Sequence, residues 1–432
     1  MLKYLDGNKK DFLNKLEIIL SKRTIQKSKK SLIVKNIINN IKKDRDKALI
    51  KYEKKFTKLK NINSKNLKFS EKEIKGIISK LDDATKKSIN LAFNRIYQFH
   101  KLQKFKNYKL LDRFKNSLSY ISSPIEKVGV YVPGGNASYP SSVLMNCIPA
   151  LIAGVKEIYM TTPSFGKNNN PAVFYAAKKC KVKEIYKVGG AQAIGAFAFG
   201  TKSIKKVNKI VGPGNEFVAL AKKEVFGDVG IDMIAGPSEV TVVGDQTSNS
   251  DWIASDLIAQ AEHDVNAQSI LVSNNKKLIS KVNIDLKKQL KNLPRKKIAL
   301  RSLETFGMAI YAKKNKDIIN IINCIAPEHL EVCIKNPNTI VKKITNSGSI
   351  FIGNYSPEAM GDYIAGTNHV LPTSGSAKFS SGLSVYDFLK RHSVIKITKS
   401  GIERLGASVI NLANYENLEG HANSVKLRIK KG

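Results

Sequence analysis

The sequence predicts an α/β protein: two tandem Rossmann-like α/β units with parallel sheets, a helical N-terminal region and an extended C-terminal tail. Three observations predict it. From Val128 onward, short β-branched runs alternate with Ala-rich stretches of helical length. A second series with the same rhythm starts at Glu239. Before both, residues 1–127 are Lys-rich and Gly-poor, with apolar residues at helical spacing.

In the N-terminal region Phe12, Leu16, Ile19 and Leu20 form one apolar stripe, and Ile33, Ile37, Ile38 and Ile41 another. Such stripes pack a helix onto a core. In the first α/β series the strands are VGVYV (128–132), EIYMT (157–161), EIYKV (184–188) and KIV (209–211). Helices are expected near 142–153, 171–179, 191–199 and 215–225. The second series has EVTVVG (239–244), a helix near 250–262, SILVS (269–273) and a helix near 276–291. From about residue 382 the pattern loosens into a tail. No repeat of 20–50 residues is present.

Composition narrows the function. At 432 residues with 42% hydrophobic and 25% charged, the chain is long enough for several domains and a real core. Its longest apolar run, Cys147 to Val155, is too short to span a bilayer. The N-terminus MLKYLDGNKKDFLNKL has no apolar signal-peptide core, so a cytoplasmic chain is expected. Cys147, Cys180, Cys324 and Cys333 are scattered without CxxC spacing, which argues against a thiolate zinc site or a disulfide scaffold. The net charge of +38 comes from 64 Lys and only 9 Arg. Residues 128–270 hold 13 Lys, no Arg and 12 acidic residues, so the excess avoids the most motif-rich segment. That distribution reads as a solvated Lys-rich surface rather than a nucleic-acid face, which favours clustered Arg.

Six histidines exist, and their neighbours are informative. Gln260 and His263 lie in AQAEH near a helix end. A spacing of three puts both on one face, so an amide oxygen and an imidazole could share a metal. A backbone-satisfied helix-end histidine is the plainer alternative. Glu328 and His329 follow Pro327 in IAPEHLE, where the proline suits the first turn of a helix. A carboxylate beside an imidazole is a candidate acid–base pair; a helix-start Glu with a surface His is equally consistent. Asp362 and His369 sit in the Gly-punctuated run GDYIAGTNHVLPT, and Glu416 and His421 near the end, the latter in EGHANS. Gln, His, Asp and His together would make an N/O set suited to Zn²⁺. Glycine turns follow three strands: VPGGN (132–136), GGAQAIG (189–195) and VGPGN (211–215). The last begins a GxGxxG that Phe217 breaks. Three such turns on one sheet edge suggest a phosphate or dinucleotide, although tight βα turns alone would use the same glycines.

Read together, PGG followed by YPSS, then GGAQAIGA, VGPGN, DMIAGPSE, SDLIAQAEH, APEHLE, GDYIAGTNHVLPT, SGLSVYDFLK and EGHANS occur in order. From Val128 to the C-terminus this closely resembles the histidinol dehydrogenase family; residues 1–127 resemble it in length and helical texture. Asn136-Ala137-Ser138 departs from the set common in the family. The resemblance implies an enzyme of histidine biosynthesis that oxidises L-histidinol to L-histidine in two NAD-dependent steps. It implies one Zn²⁺ per subunit on Gln260, His263, Asp362 and His421, and a general-base pair Glu328 and His329. Substrate contacts would come from Ser238, Gln260, His263, His329, Asp362, His369, Glu416 and His421. NAD⁺ contacts would come from Tyr131, Gln192 and Asn215. It also implies a discontinuous zinc and substrate domain (1–127 with 239–381), an NAD-binding domain (128–238), and a tail (382–432) completing the partner's site in a homodimer. A zinc hydrolase and a basic nucleic-acid-binding protein are the other readings, and neither accounts for the ordered motifs.

Overall fold

The structure is a computed structural model describing residues 1–21, 23, 29–57, 61–103, 105–134, 139–164 and 169–429. The departure at Asn136-Ala137-Ser138 lies outside the described residues. The chain opens with β1 (Lys3–Asp6) and α1 (Phe12–Ser21), then α2 (Lys29–Phe56), α3 (Glu71–Ile78) and α4 (Asp83–Lys101). In α1, Phe12 and Leu16 are buried, and in α2 Val34, Ile37, Ile38, Ile41 and Leu49 are. Ile33 falls outside that face and is half exposed. A Ser70–Glu73 capping box starts α3, and Asp82 caps α4 by accepting from Thr85 N.

Strands β2 (Tyr108–Leu111) and β3 (Ser117–Pro124) precede the first α/β unit. That unit runs β4 (Lys127–Tyr131), α5 (Pro140–Ala153), β5 (Glu157–Thr161), α6 (Pro171–Lys179), β6 (Glu184–Tyr186), α7 (Gly190–Phe199), β7 (Lys209–Val211), α8 (Glu216–Val225) and β8 (Gly230–Ile231). The second runs β9 (Glu239–Gly244), α9 (Ser250–Ala261), β10 (Gln268–Ser273), α10 (Lys276–Gln289), α11 (Lys296–Thr305), β11 (Met308–Tyr311), α12 (Asn315–Ile325), β12 (His329–Cys333), α13 (Asn338–Val341), β13 (Ser349–Ile352) and α14 (Glu358–Tyr363). The tail is not loose: it forms β14 (Leu389–Lys396), α15 (Lys399–Tyr415) and α16 (Glu419–Ile429). Its strand was hidden from pattern reading because Leu389–Lys396 is mostly solvent-exposed and lacks a buried alternation.

The first unit forms a five-stranded sheet in the order β6-β5-β4-β7-β8, parallel throughout. Strand order reverses between β4 and β7, which opens a crevice at their C-terminal ends. The second is a six-stranded parallel sheet, β1-β11-β10-β9-β12-β13, reversing between β9 and β12. β14, β3 and β2 make a separate antiparallel sheet.

Packing divides residues 1–127 between the units rather than joining the whole segment to 239–381. β1 pairs with β11 and α1 packs on α12 in the second unit, whereas α2, α3 and α4 cover α5 to α8 of the first. The reason is complementary apolar surface: Ile37, Ile38 and Ile41 of α2 share a core with Ala193, Ile194 and Phe197 of α7. Gly195 lets the helices approach, since a Cβ there would stand 3.3 Å from the Ile41 side chain. Among the described residues no helix is long and apolar enough to cross a membrane.

Candidate functional site

A cavity of about 710 Å³ lies between the C-terminal edge of the five-stranded sheet and the N-terminal edge of the six-stranded one. From the first it takes Pro133 and the turn Gly212-Pro213-Gly214-Asn215; from the second, Ser238, Gln260, His263, Glu328, His329, Asp362 and His369. Eight of the residues singled out in the sequence are thus brought together.

Glu328 and His329 do not start a helix. His329 is the first residue of β12, paired with Val240 on one side and Ser349 on the other, and every residue of that strand is buried. Pro327 fits either conformation, so burial between two parallel neighbours decided the matter. The strand start places both side chains beside Glu239, the first residue of β9. Glu239 N donates to Glu328 Oε2 at 2.9 Å, and His329 Nδ1 lies 3.0 Å from Glu239 O. Since a carbonyl can only accept, Nδ1 carries the proton and donates. His329 Nε2 is buried without a hydrogen-bond partner, 3.6 Å from Asp362 Oδ1. That separation is electrostatic contact rather than a hydrogen bond.

Burial raises the Glu328 carboxyl to about 7, against the pull of His329 and the Glu239 N–H. A carboxyl near neutrality is suited to proton transfer at physiological pH. For His329 burial acts downward, but Glu328, Glu358 and Asp362 outweigh it and raise its pKa. Glu328 Oε2 and Glu358 Oε2 stand 3.8 and 3.7 Å from Nδ1. Burial raises Glu358 as well, to about 8.

Gln260 is buried near the C-terminus of α9, and its Oε1 has no partner. His263 follows the helix in a turn, its N–H bonded to Gln260 O, at the exposed rim of the cavity. Desolvation of its ring lowers its pKa, with Asp362 pulling the other way. The Gly-punctuated run, expected from its glycines to be a loop, starts inside the short helix α14, which carries Asp362. Burial pushes its carboxyl up, yet the His329, His369 and His263 imidazoles around it hold it below the usual value. His369 Nδ1 donates to Asp362 O at 2.9 Å, tying that loop to α14. An ionised carboxylate, an imidazole biased to its neutral form and an orphaned amide oxygen on one wall fit a zinc site. Among the described residues no cluster of three or more His, Cys, Asp or Glu is arranged to hold a metal. The wall offers two such groups plus the amide.

Glu416 and His421 are not part of this cavity. Glu416 ends α15 and His421 lies in α16, both exposed.

Of the dinucleotide candidates, Asn215 lines the cavity as N-cap of α8, accepting from Val218 N. Tyr131 and Gln192 lie buried beneath the glycine turns rather than on the wall. Tyr131 Oη accepts from Gly190 N at 3.0 Å; Gln192 Nε2 donates to Glu53 Oε1 at 2.7 Å. The VGPGN turn needs its glycine: Gly212 has φ +114°, and a Cβ there would meet Tyr131 O at 2.1 Å. Lys222 Nζ donates to Gly212 O and Asp232 Oδ2 accepts from Gly212 N, so a buried ion pair holds the two peptide groups that flank the Gly212 Cα.

Sequence reasoning missed Arg23, Glu53, Glu239 and Glu358. Glu239 adjoins Ser238 within the motif DMIAGPSE, which was a usable signal. Arg23 and Glu53 had only the rarity of Arg in the chain and of acids in residues 1–60.

The histidinol dehydrogenase family model matches residues 20–429. A histidinol dehydrogenase of Pelagibacter ubique is 56% identical over 432 residues, covering all of both chains. One of Rhodopseudomonas palustris is 46% identical, covering 98% of each. The crystal structure of histidinol dehydrogenase from Elizabethkingia anophelis superposes with a TM-score of 0.93 at 38% identity, covering 100% of this chain and 98% of the other.

Proposed function

This chain belongs to the histidinol dehydrogenase family, and from that premise we propose that its cavity oxidises L-histidinol to L-histidine through histidinal, reducing two NAD⁺. Family membership makes it an oxidoreductase of histidine biosynthesis that acts on a small molecule. The observation that carries the residue assignment is the meeting of Gln260, His263, Glu328, His329 and Asp362 in one cavity.

With Nδ1–H committed to Glu239 O, His329 Nε2 is the nitrogen that takes the alcohol proton as hydride leaves carbon. Glu328, Glu358 and Asp362 stabilise the resulting imidazolium. The product is an aldehyde, and Glu328 takes a proton from water as its oxygen adds to the carbonyl carbon. With that proton on Glu328 the intermediate is the hydrate anion, which loses a second hydride to give the carboxylic acid, and the acid loses a proton to leave a carboxylate. Keeping histidinal in one enclosed cavity prevents its loss to solvent. Gln260, His263, Asp362 and the partner's copy of His421 are the residues that would hold Zn²⁺. When bound, zinc orients the amine and imidazole of the substrate and supplies Lewis acidity. NAD⁺ supplies the hydride acceptor; the turn at Asn215 and the N-terminus of α8 are the place for its phosphates, with Tyr131 and Gln192 supporting the neighbouring glycine turn. Ser238, His369 and the partner's copy of Glu416 complete the substrate contacts.

The exposure of Glu416 and His421 supports a homodimer in which each tail closes the other cavity. Leu405, Val409 and Leu412 form an exposed apolar face on α15, and Leu110 and Ile395 are exposed on the antiparallel sheet. We place the enzyme in the cytoplasm. The test is absorbance at 340 nm with histidinol and NAD⁺, before and after chelation and after returning Zn²⁺. Two NADH per histidinol, lost on chelation and restored by zinc, is the expected result. Full turnover by thoroughly metal-free protein would overturn the zinc assignment, and absence of NADH would overturn the reaction.

A further inference from the structure

The acid–base pair of the proposed reaction hangs on one peptide segment, and a residue from the far N-terminus holds that segment in place. Pro237-Ser238-Glu239 leads into β9 along the cavity wall. Its third member gives Glu328 a hydrogen bond through its N–H and receives one from His329 through its C=O. Both proposed bases therefore take their position from one residue's main chain, 89 and 90 positions away in sequence.

That residue is itself anchored. Glu239 Oε1 accepts from Arg23 Nη1 at 2.7 Å and from Ser374 N at 3.0 Å. Arg23 also reaches Gln268 Oε1 at 2.8 Å with Nη1, and Asn266 O at 3.1 Å and Pro237 O at 3.3 Å with Nη2. Its guanidinium lies 5.6 Å from the centroid of the Phe306 ring. The side chains of Arg23 and Glu239 are 4% and 5% exposed, so neither is a solvated surface charge. Burial raises the Glu239 carboxyl, and the Arg23 guanidinium opposes that rise. The fork grips the segment on both sides of Ser238: at the Pro237 carbonyl before it and the Glu239 side chain after it. A guanidinium is suited to this task because its planar donors have fixed directions, which an ammonium lacks.

We propose that Arg23 and Glu239 are positioning residues: by fixing the peptide segment 237–239 they set the orientation of Glu328 and the Nδ1-protonated tautomer of His329. This inference rests on the reading of Glu328 and His329 as the proton-transfer pair. The tautomer follows because, in the neutral ring, only a protonated Nδ1 can donate to Glu239 O, which leaves the lone pair on Nε2, on the side of Asp362. A shift of the segment by about 1 Å would cost both half-reactions, since misplacement of that size is worth about 10²-fold in rate.

The experiment uses the full-length enzyme loaded with zinc and two conservative variants, Arg23→Lys and Glu239→Gln. Glu239→Gln keeps an acceptor oxygen for Ser374 N and the shape of the side chain, but it replaces the carboxylate partner of Arg23 by a neutral amide, so the guanidinium holds the segment through a weaker bond. Each is assayed for histidinol and histidinal oxidation, with the thermal midpoint and zinc content measured alongside. Histidine tautomers are read by ¹⁵N imidazole NMR, which six histidines make tractable. The expected result is a fall in kcat of about tenfold to a hundredfold in both half-reactions. KM for NAD⁺ should be unchanged and zinc content full, and the His329 resonance should show mixed tautomers. Wild-type kcat per folded chain in both variants, or an unchanged His329 tautomer with reduced kcat, would overturn the proposal. A merely structural pair would lower the thermal midpoint without moving kcat per folded chain. Glu328→Gln serves as control: if it leaves both half-reactions intact, the reading of the proton-transfer pair fails, and that outcome is distinct from failure of the clamp.

Discussion

Replacing Glu53 by Gln should make the protein more stable at neutral pH, by an amount that depends on pH. Glu53 comes from α2 and is fully buried. Its Oε1 accepts from Gln192 Nε2 and Gly189 N, while its Oε2 has no partner. Burial pushes its carboxyl up to about 7, from 4.5, against those two hydrogen bonds. A carboxyl whose pKa is higher folded than unfolded contributes stability in its protonated form. That contribution is fully present below pH 4.5 and is lost as pH rises through about 7. The shift corresponds to roughly 3 kcal/mol at 1.36 kcal/mol per unit. Gln keeps the acceptor for Gln192 and Gly189 without ever ionising, so Glu53→Gln should gain on the wild type between pH 4.5 and 7 and hold that gain above. For a chain of this length that is about 3 °C in the thermal midpoint if the molecule unfolds as one unit. The assay is the difference in midpoint between variant and wild type at pH 5, 6, 7 and 8, in matched buffers. A difference that does not change with pH would show that Glu53 titrates like a solvent-exposed carboxyl. A variant less stable than wild type at pH 8 would show that the ionised form is the stabilising one. Either result would refute the argument.

The remaining predictions concern the reaction. Glu328→Gln should damage histidinal oxidation more than histidinol oxidation, and His329→Asn should strongly impair the alcohol step, each by about 10²–10⁴-fold; equal, mild losses in separate half-reaction assays would refute that division of roles. His421→Ala and His263→Ala should each be nearly inactive alone, but co-folding should restore about a quarter of wild-type activity, because half of random dimers are mixed and each has one intact site. Mixed dimers seen by mass spectrometry without activity would refute the shared cavity.

The order of elements was legible in the sequence. Each expected strand from Val128 to Ser273 lies within two residues of its place, because a βα alternation is written in local periodicity and in the glycines that follow most of these strands; the two-residue β8 (Gly230–Ile231) carried no such signal. The candidate site was legible as residues but not as an arrangement. Seven of them line one wall of the cavity together with Asn215, while Tyr131 and Gln192 support a turn from below and Glu416 and His421 stand outside. The rule that ligands gather at strand C-termini describes the five-stranded sheet, yet Glu239 and His329 begin their strands in the six-stranded one. No local pattern distinguishes those two edges; the distinction comes from how the sheets face each other.

By itself the sequence determined the fold class, the βα succession between Val128 and Gln289, and the motifs by which the family is recognised, all of which depend on neighbours within a few residues. Tertiary structure alone decided the rest. Pro327-Glu328-His329 could open a helix or a strand, and burial between β9 and β13 made it a strand. Residues 1–127 could cover either unit, and the apolar face of α2 assigned most of them to the first. Arg23 meets Glu239 across 216 positions of chain. A buried cation and its carboxylate are chosen by packing, since desolvated charges must find partners wherever the fold brings them. Periodicity cannot record such a pairing, because its physical cause exists only once the core has formed.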